Sequence, residues 1–308
     1  MWVASEMGYS PMVHMTYCQS GYLDEIIAKE ISAYWKHNLV FEPMDDYGFL
    51  YDIEQIVKMN GGLSLYCGIT GGKRILEHIN FDIFGIEHTG QVGDAILGAS
   101  YAINNSRGMY SYKLSNMITD KVYKKYNGDN ELYLVNTRGF LGMLGTHFIR
   151  KNYTEVSSPF LDVDFMELCY SIPASVRAKH RLYKKWIENK YPEATKFVWE
   201  KTGQRVNAAD IQIFLHKLIS RGPAKIKNIL HIPVHESKYG MNPFQYWYNS
   251  DIKLQSYFNN TFNKNISNAI IPADLRNIII QFYNNGTVLE KSQALTAVFA
   301  IGLYFDDM

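Results

Sequence analysis

Two short segments of this chain hold residues whose types and spacing could do chemistry. Thr89–Asp94 reads TGQVGD. Glycines at 90 and 93 let the backbone turn tightly and come close to a ligand, and successive N–H groups in such a turn form a nest for an anion. Asp94 closes the segment. A carboxylate beside phosphates repels them unless a divalent ion bridges the two, so this set suits a Mg²⁺-bound nucleotide. The same six residues also suit a plain turn after a strand. The second segment, Ser158–Asp162, reads SPFLD and runs into an apolar stretch. Pro159 fits just before a helix and Asp162 fits its N-cap. By themselves these residues describe a well-capped structural helix.

A nucleotide loop needs a strand to deliver it. Pro11–Cys18 (PMVHMTYC) is a short apolar run that suits a buried strand. Leu23–His37 carries Ile27, Ile31, Tyr34 and Trp35 on one helical stripe, with Asp24 and Glu25 in the first turn. Asn38–Phe41 reads as a second strand, Tyr47–Met59 as a helix, and Phe81–Glu87 (FDIFGIE) as a third strand. Gly61–Gly62 and Gly71–Gly72 bracket a loop, and Arg74–Ile79 restarts a helix. Alternation of this kind predicts a parallel sheet with helices on both faces. Ligands in such sheets bind at the carboxyl ends of the strands, which is where the loop His88–Tyr101 emerges.

Beyond about residue 110 the strand signals fade. Helices are predicted over Asn136–Lys151, Asp162–Ser171, His180–Lys190, Ala208–Ser220, Phe244–Ser256, Pro272–Phe282 and Leu289–Leu303, with prolines between them. The expected organisation is an α/β nucleotide-binding part over residues 1–110, with a helical part over 111–308 packed on it.

Composition narrows the functional classes. A net charge of +1 over 308 residues gives no electrostatic footprint for nucleic acid or an anionic membrane surface. The longest apolar run, Leu295–Phe305, is too short to span a bilayer and reads as a core helix. The first residues lack the basic start, apolar stretch and cleavage site of a signal peptide, so a cytoplasmic location is expected. Cys18, Cys67 and Cys169 are scattered and odd in number, which fits reduced, buried thiols.

Taken together, in this order and at this spacing, HTGQVGDAILGASY and SSPFLD resemble the synthetase half of the asparagine synthetase family. Members of that family carry a Ser-Gly-(Glu/Gln)-Gly-(Ser/Gly)-Asp-Glu loop, then Pro-Phe-Leu-Asp, then a basic residue and a Leu-Pro-type turn. The third element looks like His180–Pro192, HRLYKKWIENKYP. The resemblance runs from the strand at 12–17 to the end of the chain. It implies an adenine nucleotide α hydrolase-like fold of the ATP-pyrophosphatase type. It also implies adenylation of a small-molecule carboxylate by ATP and Mg²⁺, followed by attack of ammonia from a glutaminase domain. Carried over by position, Thr89, Gly90, Gln91 and Gly93 contact the nucleotide, and Asp94 helps hold Mg²⁺ and pyrophosphate. Tyr17 matches a position whose backbone meets adenine, Glu155 a glutamate near the reacting centre, and Arg181 a lysine that stabilises phosphate charge. Each has a plainer reading, as core for Tyr17 and as solvated surface for Glu155 and Arg181.

The sequence also departs from the family. It contains no Ser-Gly-Gly-x-Asp-Ser phosphate loop and no glutaminase domain. Trp2–Glu6 looks like the helix that follows that loop, so the chain is expected to start just after it. Ala95 stands where the family usually has Glu, and Ser157 where many members have Arg, whose bidentate anion contact Ser cannot reproduce. Three readings follow. The first is an enzyme domain, split or mis-started, that forms one part of an ATP-dependent amide ligase and is inactive alone, with the missing loop and glutaminase expected either upstream in the true gene or on a separate chain. The second is a non-catalytic remnant or interaction module. The third is the same chemistry on another acceptor, a lactam, peptide or polysaccharide-linked substrate.

Overall fold

A short helix, α1 (Trp2–Glu6), leads into β1 (Val13–Cys18), α2 (Leu23–Trp35) and β2 (Asn38–Pro43). The computed structural model describes residues 1–64, 66–103, 113–122, 130–216, 218–219, 238 and 240–305. β1 and β2 pair in parallel from Val13↔Asn38 to Cys18↔Pro43, with α2 as their crossover. Glu25 holds the start of α2 by accepting the Gly21 N–H at 2.6 Å. A polar relay then ties all three elements. His14 Nδ1 on β1 is 2.7 Å from Ser32 Oγ on α2, and His14 Nε2 is 3.1 Å from Nδ1 of His37, beside β2. Both strands and α2 lie where apolar periodicity predicts them.

The next stretch departs from prediction in three places. The helix predicted over Tyr47–Met59 is a 3₁₀ turn, Gly48–Tyr51, followed by α3 (Ile53–Asn60). The tight turn begins where Asp46 Oδ1 accepts the Gly48 N–H at 3.0 Å. The loop predicted between the two glycine pairs is replaced by α4 (Tyr66–Glu77), which runs through Gly71–Gly72. Glycine disfavours a helix by only about 1 kcal/mol, and buried Lys73, paired with Asp52 and Glu77, anchors this one. The strand predicted over Phe81–Glu87 shrinks to β3 (Glu87–His88). Asn80 caps a 3₁₀ turn at Phe81–Ile83 by accepting the Asp82 N–H, and Ile83, Phe84 and Ile86 are left exposed.

There follow α5 (Gly93–Gly98), α6 (Ser100–Ile103), α7 (Lys113–Val122) and α8 (Asn130–Leu134). The helix predicted over Asn136–Lys151 is a π-helix, Val135–Met143, followed by α9 (Gly145–Arg150). Next come β4 (Val156–Ser157), α10 (Val163–Ser171), α11 (Ala174–Arg177), α12 (Arg181–Lys190), β5 (Val198–Trp199) and β6 (Gln204–Arg205). Residues 210–216 are helical, and the remainder of the helix predicted to Ser220 is not wholly within the described residues. The chain closes with α13 (Phe244–Ser250), α14 (Ile252–Ile266), α15 (Ala273–Asn285) and α16 (Val288–Phe305). α13 and α14 divide at Asp251, whose carboxylate caps α14 by accepting the Lys253 N–H.

The protein is thus mixed α/β and mostly helical, with small parallel sheets. Its strands form three separate pairs among the described residues, β1–β2 and β3–β4 parallel and β5–β6 antiparallel, rather than one continuous parallel sheet. Contacts divide the chain into two units, Met1–Asp45 with Arg181–Tyr246, and Asp46–His180 with Trp247–Met308. Among the described residues no helix is long and apolar enough to cross a membrane. Cys18 and Cys169 are free and buried, and burial raises the Cys18 thiol to about 11. The side chain of Cys67 lies outside the described residues.

In the second unit, Leu254, Phe258 and Phe262 form a buried stripe on α14, facing Tyr283 of α15 through a ring stack at 3.8 Å. α16 contributes Val288, Leu295 and Val298, as expected of a core helix. Among the described residues the most buried charge is Arg177, only 1% exposed. Its guanidinium donates to both Glu131 oxygens at 2.8–2.9 Å, and to the carbonyls of Ile96 and Ile172 at 2.9 Å. Removing it would leave Glu131 and two carbonyls without their donor. Arg177→Ala is therefore expected to destabilise the protein by about 3–5 kcal/mol, read as a fall in urea midpoint. A loss below about 1 kcal/mol would contradict this assignment.

Candidate functional site

The two segments singled out in the sequence meet at the carboxyl ends of β3 and β4. Glu87 pairs with Val156 and His88 with Ser157. The Glu87 N–H donates to the Glu155 carbonyl at 2.9 Å, and the Thr89 N–H to the Ser157 carbonyl at 2.8 Å. Just past the strands, the buried Ser158 hydroxyl donates to the Gln91 carbonyl at 2.9 Å, across 67 residues of sequence. The turn then closes on itself, with the Gly93 N–H donating to the Gly90 carbonyl at 3.2 Å.

Each residue of the turn has its own local reason. Val92 is fully buried with φ 60° and ψ 0°, a conformation that a β-branched residue adopts only under constraint from its surroundings. Gly93 stands against the Phe160 ring, and a Cβ there would lie 2.8 Å from it. Gly90 faces open space. Asp94 is exposed in the first turn of α5, while Ala95 is fully buried in a cluster with Tyr101, Leu134 and Val135. A glutamate in place of Ala95 would put a carboxylate into that cluster.

His147 of α9 is the residue that sequence reasoning missed. Its Nε2 lies 2.8 Å from Thr89 Oγ1, a hydrogen bond in either imidazole tautomer. No local pattern marks it, because the contact spans 58 residues. One helical turn on, Arg150 pairs with Glu87, whose carboxyl is raised by burial and lowered in part by Arg150.

The other expected site residues fall elsewhere. Glu155 is exposed and immediately precedes β4, so it stands at the amino end of the pair, two residues before Ser157 and about 7 Å along the strand from it. It lines an open depression of about 570 Å³ together with Ile86, Lys151 and Tyr153. Tyr17 is half-buried in β1 opposite Glu42, and Arg181 is the exposed first residue of α12. Both belong to the first unit, whereas Thr89–Asp94 and Glu155 belong to the second. In the first unit Lys184 and Lys201 each place an ammonium over the Trp199 ring, at 5.4 and 5.8 Å.

The donor set bears on which cation the turn can hold. Among the described residues no group of three His, Cys, Asp or Glu side chains is placed to hold a metal ion. Asp94 offers one exposed carboxylate. That suits Mg²⁺ arriving on a nucleotide, where phosphates and water fill most of the coordination shell, and does not suit a resident ion caged by protein.

Comparison with family models, curated proteins and solved structures returns no match for this chain.

Two outcomes test the geometry. Gly93→Ala is expected to cost about 1–3 kcal/mol, because the new methyl group meets the Phe160 ring, while Gly90→Ala stays within about 0.5 kcal/mol of the parent. Equal urea midpoints for the two variants would contradict this. The second concerns pH. Burial, followed by Arg150 and Lys151, holds the His147 imidazole below the usual histidine range. The unfolded chain binds that proton more readily. His147 therefore costs stability as pH falls below about 6.5, until the folded pKa is passed. Burial also lowers His14, so His147→Gln should flatten part of the stability curve between about pH 7 and pH 5. An unchanged slope would contradict the assignment.

Proposed function

We propose that this chain is a nucleotide-using domain of the asparagine synthetase type, and that the turn Thr89–Asp94 is where it meets Mg·ATP. The observation that carries the reading is the junction of TGQVGD and SSPFLD at the carboxyl ends of two parallel strands. Ligands of parallel α/β sheets bind at that end. The proposed architecture around this junction is that of an adenine nucleotide α hydrolase.

In the proposed reaction a carboxylate oxygen of a small molecule attacks the α-phosphorus of ATP, and the bond to pyrophosphate breaks. Ammonia then attacks the acyl carbon and AMP leaves. The open backbone at Gly90 lets a phosphate approach closely, and Asp94 supplies one carboxylate to the Mg²⁺ that accompanies the nucleotide. The residues of this sequence include no Ser-Gly-Gly-x-Asp-Ser loop, and full turnover is proposed to need a partner that supplies such a loop together with ammonia.

A second reading, a non-catalytic remnant, is favoured by one feature. Ala95 is sealed in a hydrophobic cluster at the position where the resembled family carries glutamate. Calorimetric titration with Mg·ATP separates the two. Saturable binding is expected, weakened at least about tenfold, or 1.4 kcal/mol, in Gly90→Val, where the added bulk fills open space at the phosphate approach. No saturable binding, or binding indifferent to Gly90→Val, would turn the assignment to the remnant.

A further inference from the structure

The spacing of polar residues on α9 matches their spacing on the strand that delivers the loop. Side chains at 87 and 89 point to one side of an extended chain, and residues three apart on a helix are neighbours. Arg150 of α9 pairs with Glu87, and His147, three residues earlier, meets Thr89. The Glu87 side chain is only 8% exposed, and its second oxygen, Oε2, is buried without a partner. A buried ion pair in this setting registers one element on another more than it stabilises either. α9 can approach closely at its start because Gly145 lacks a Cβ; one there would overlap Ser64. The hydroxyl of Ser64 in turn donates to the Gly142 carbonyl at 2.7 Å.

The consequence lies in where the Thr89 hydroxyl goes. It is committed to His147 on one side, and the Gln91 N–H approaches it at 3.5 Å on the other. What the turn leaves open is the backbone at Gly90. We propose that His147 is a positioning residue for the 89–94 turn. It holds Thr89 inward, so that the turn presents the Gly90 backbone, rather than the threonine hydroxyl, to the phosphates of a nucleotide. This inference rests on the nucleotide reading of the turn, but its geometric half stands apart from it.

The test uses the full chain and two readouts. Hydrogen exchange at the amides of residues 89–94 reports the order of the turn, and titration with Mg·ATP reports its use. His147→Phe keeps a ring but no hydrogen-bonding group, and should speed exchange across the turn about three- to tenfold, the scale of one hydrogen bond. His147→Gln keeps a polar group within reach and should stay within about twofold of the parent. Mg·ATP affinity should fall by a similar factor in His147→Phe and be rescued in His147→Gln. Thr89→Val removes the same bond from the other side with little change of shape, and should match His147→Phe; Thr89→Ser should match the parent. Unchanged exchange in both His147→Phe and Thr89→Val would overturn the positioning role. So would equal disturbance by His147→Gln and His147→Phe, which would mark His147 as packing alone. A parent chain that binds no Mg·ATP would overturn the nucleotide reading, while the exchange data would still decide what His147 does to the turn.

Discussion

The candidate site depends on the pairing of two very short strands. β3 and β4 contribute two residues each, and the hydrogen bonds from Glu87 to Glu155 and from Thr89 to Ser157 set their register. That register places the Ser158 hydroxyl under the Gln91 carbonyl and the Phe160 ring against Gly93. A slip by one residue would turn Thr89 away from His147, because strand side chains alternate. Two-residue strands are too short to hold register by their ladder alone. The ion pair of Arg150 with Glu87 and the hydrogen bond of His147 with Thr89 tie this segment to α9, the helix that precedes β4 in the chain.

The turn is also held from its far side. α5 begins at Gly93, beneath Phe160, and the carbonyl of Ile96 near its end accepts from buried Arg177. Val92 before it and Ala99 after it both adopt left-handed conformations, at φ 60° and 48°. Neither residue chooses that region unaided. Full burial of both supplies the constraint. A turn restrained at both ends, with open space at Gly90, suits a ligand met by backbone.

Much of this was legible in the sequence, and the reasons differ by element. β1, α2 and β2 follow from apolar periodicity, and α10 from Asp162, whose carboxylate accepts the Phe165 N–H at 2.8 Å. The turn at 89–94 was legible from its glycines. The helix through Gly71–Gly72 was not, because buried Lys73 outweighs glycine propensity. Nor was the shortening of β3, where a single asparagine cap redirects an apolar run into a 3₁₀ turn. Glu155 was linked to the loop by motif order, yet strand register puts it at the opposite end of the pair. His147 was invisible, since nothing within α9 announces a partner 58 residues away. Local signals report local structure, and this site is assembled from segments brought together by tertiary contacts.

The central claim is that the junction of residues 89–94 with 157–160 is a nucleotide-binding turn. Its most direct test is a titration of the isotope-labelled chain with Mg·ATP, followed by backbone amide resonances. The amides of Gly90 and Gln91 should move most, with smaller saturating shifts at Ser157 and Ser158 and a single midpoint for all four. Shifts that are absent from these residues while others respond, or that rise without saturation, would contradict the account.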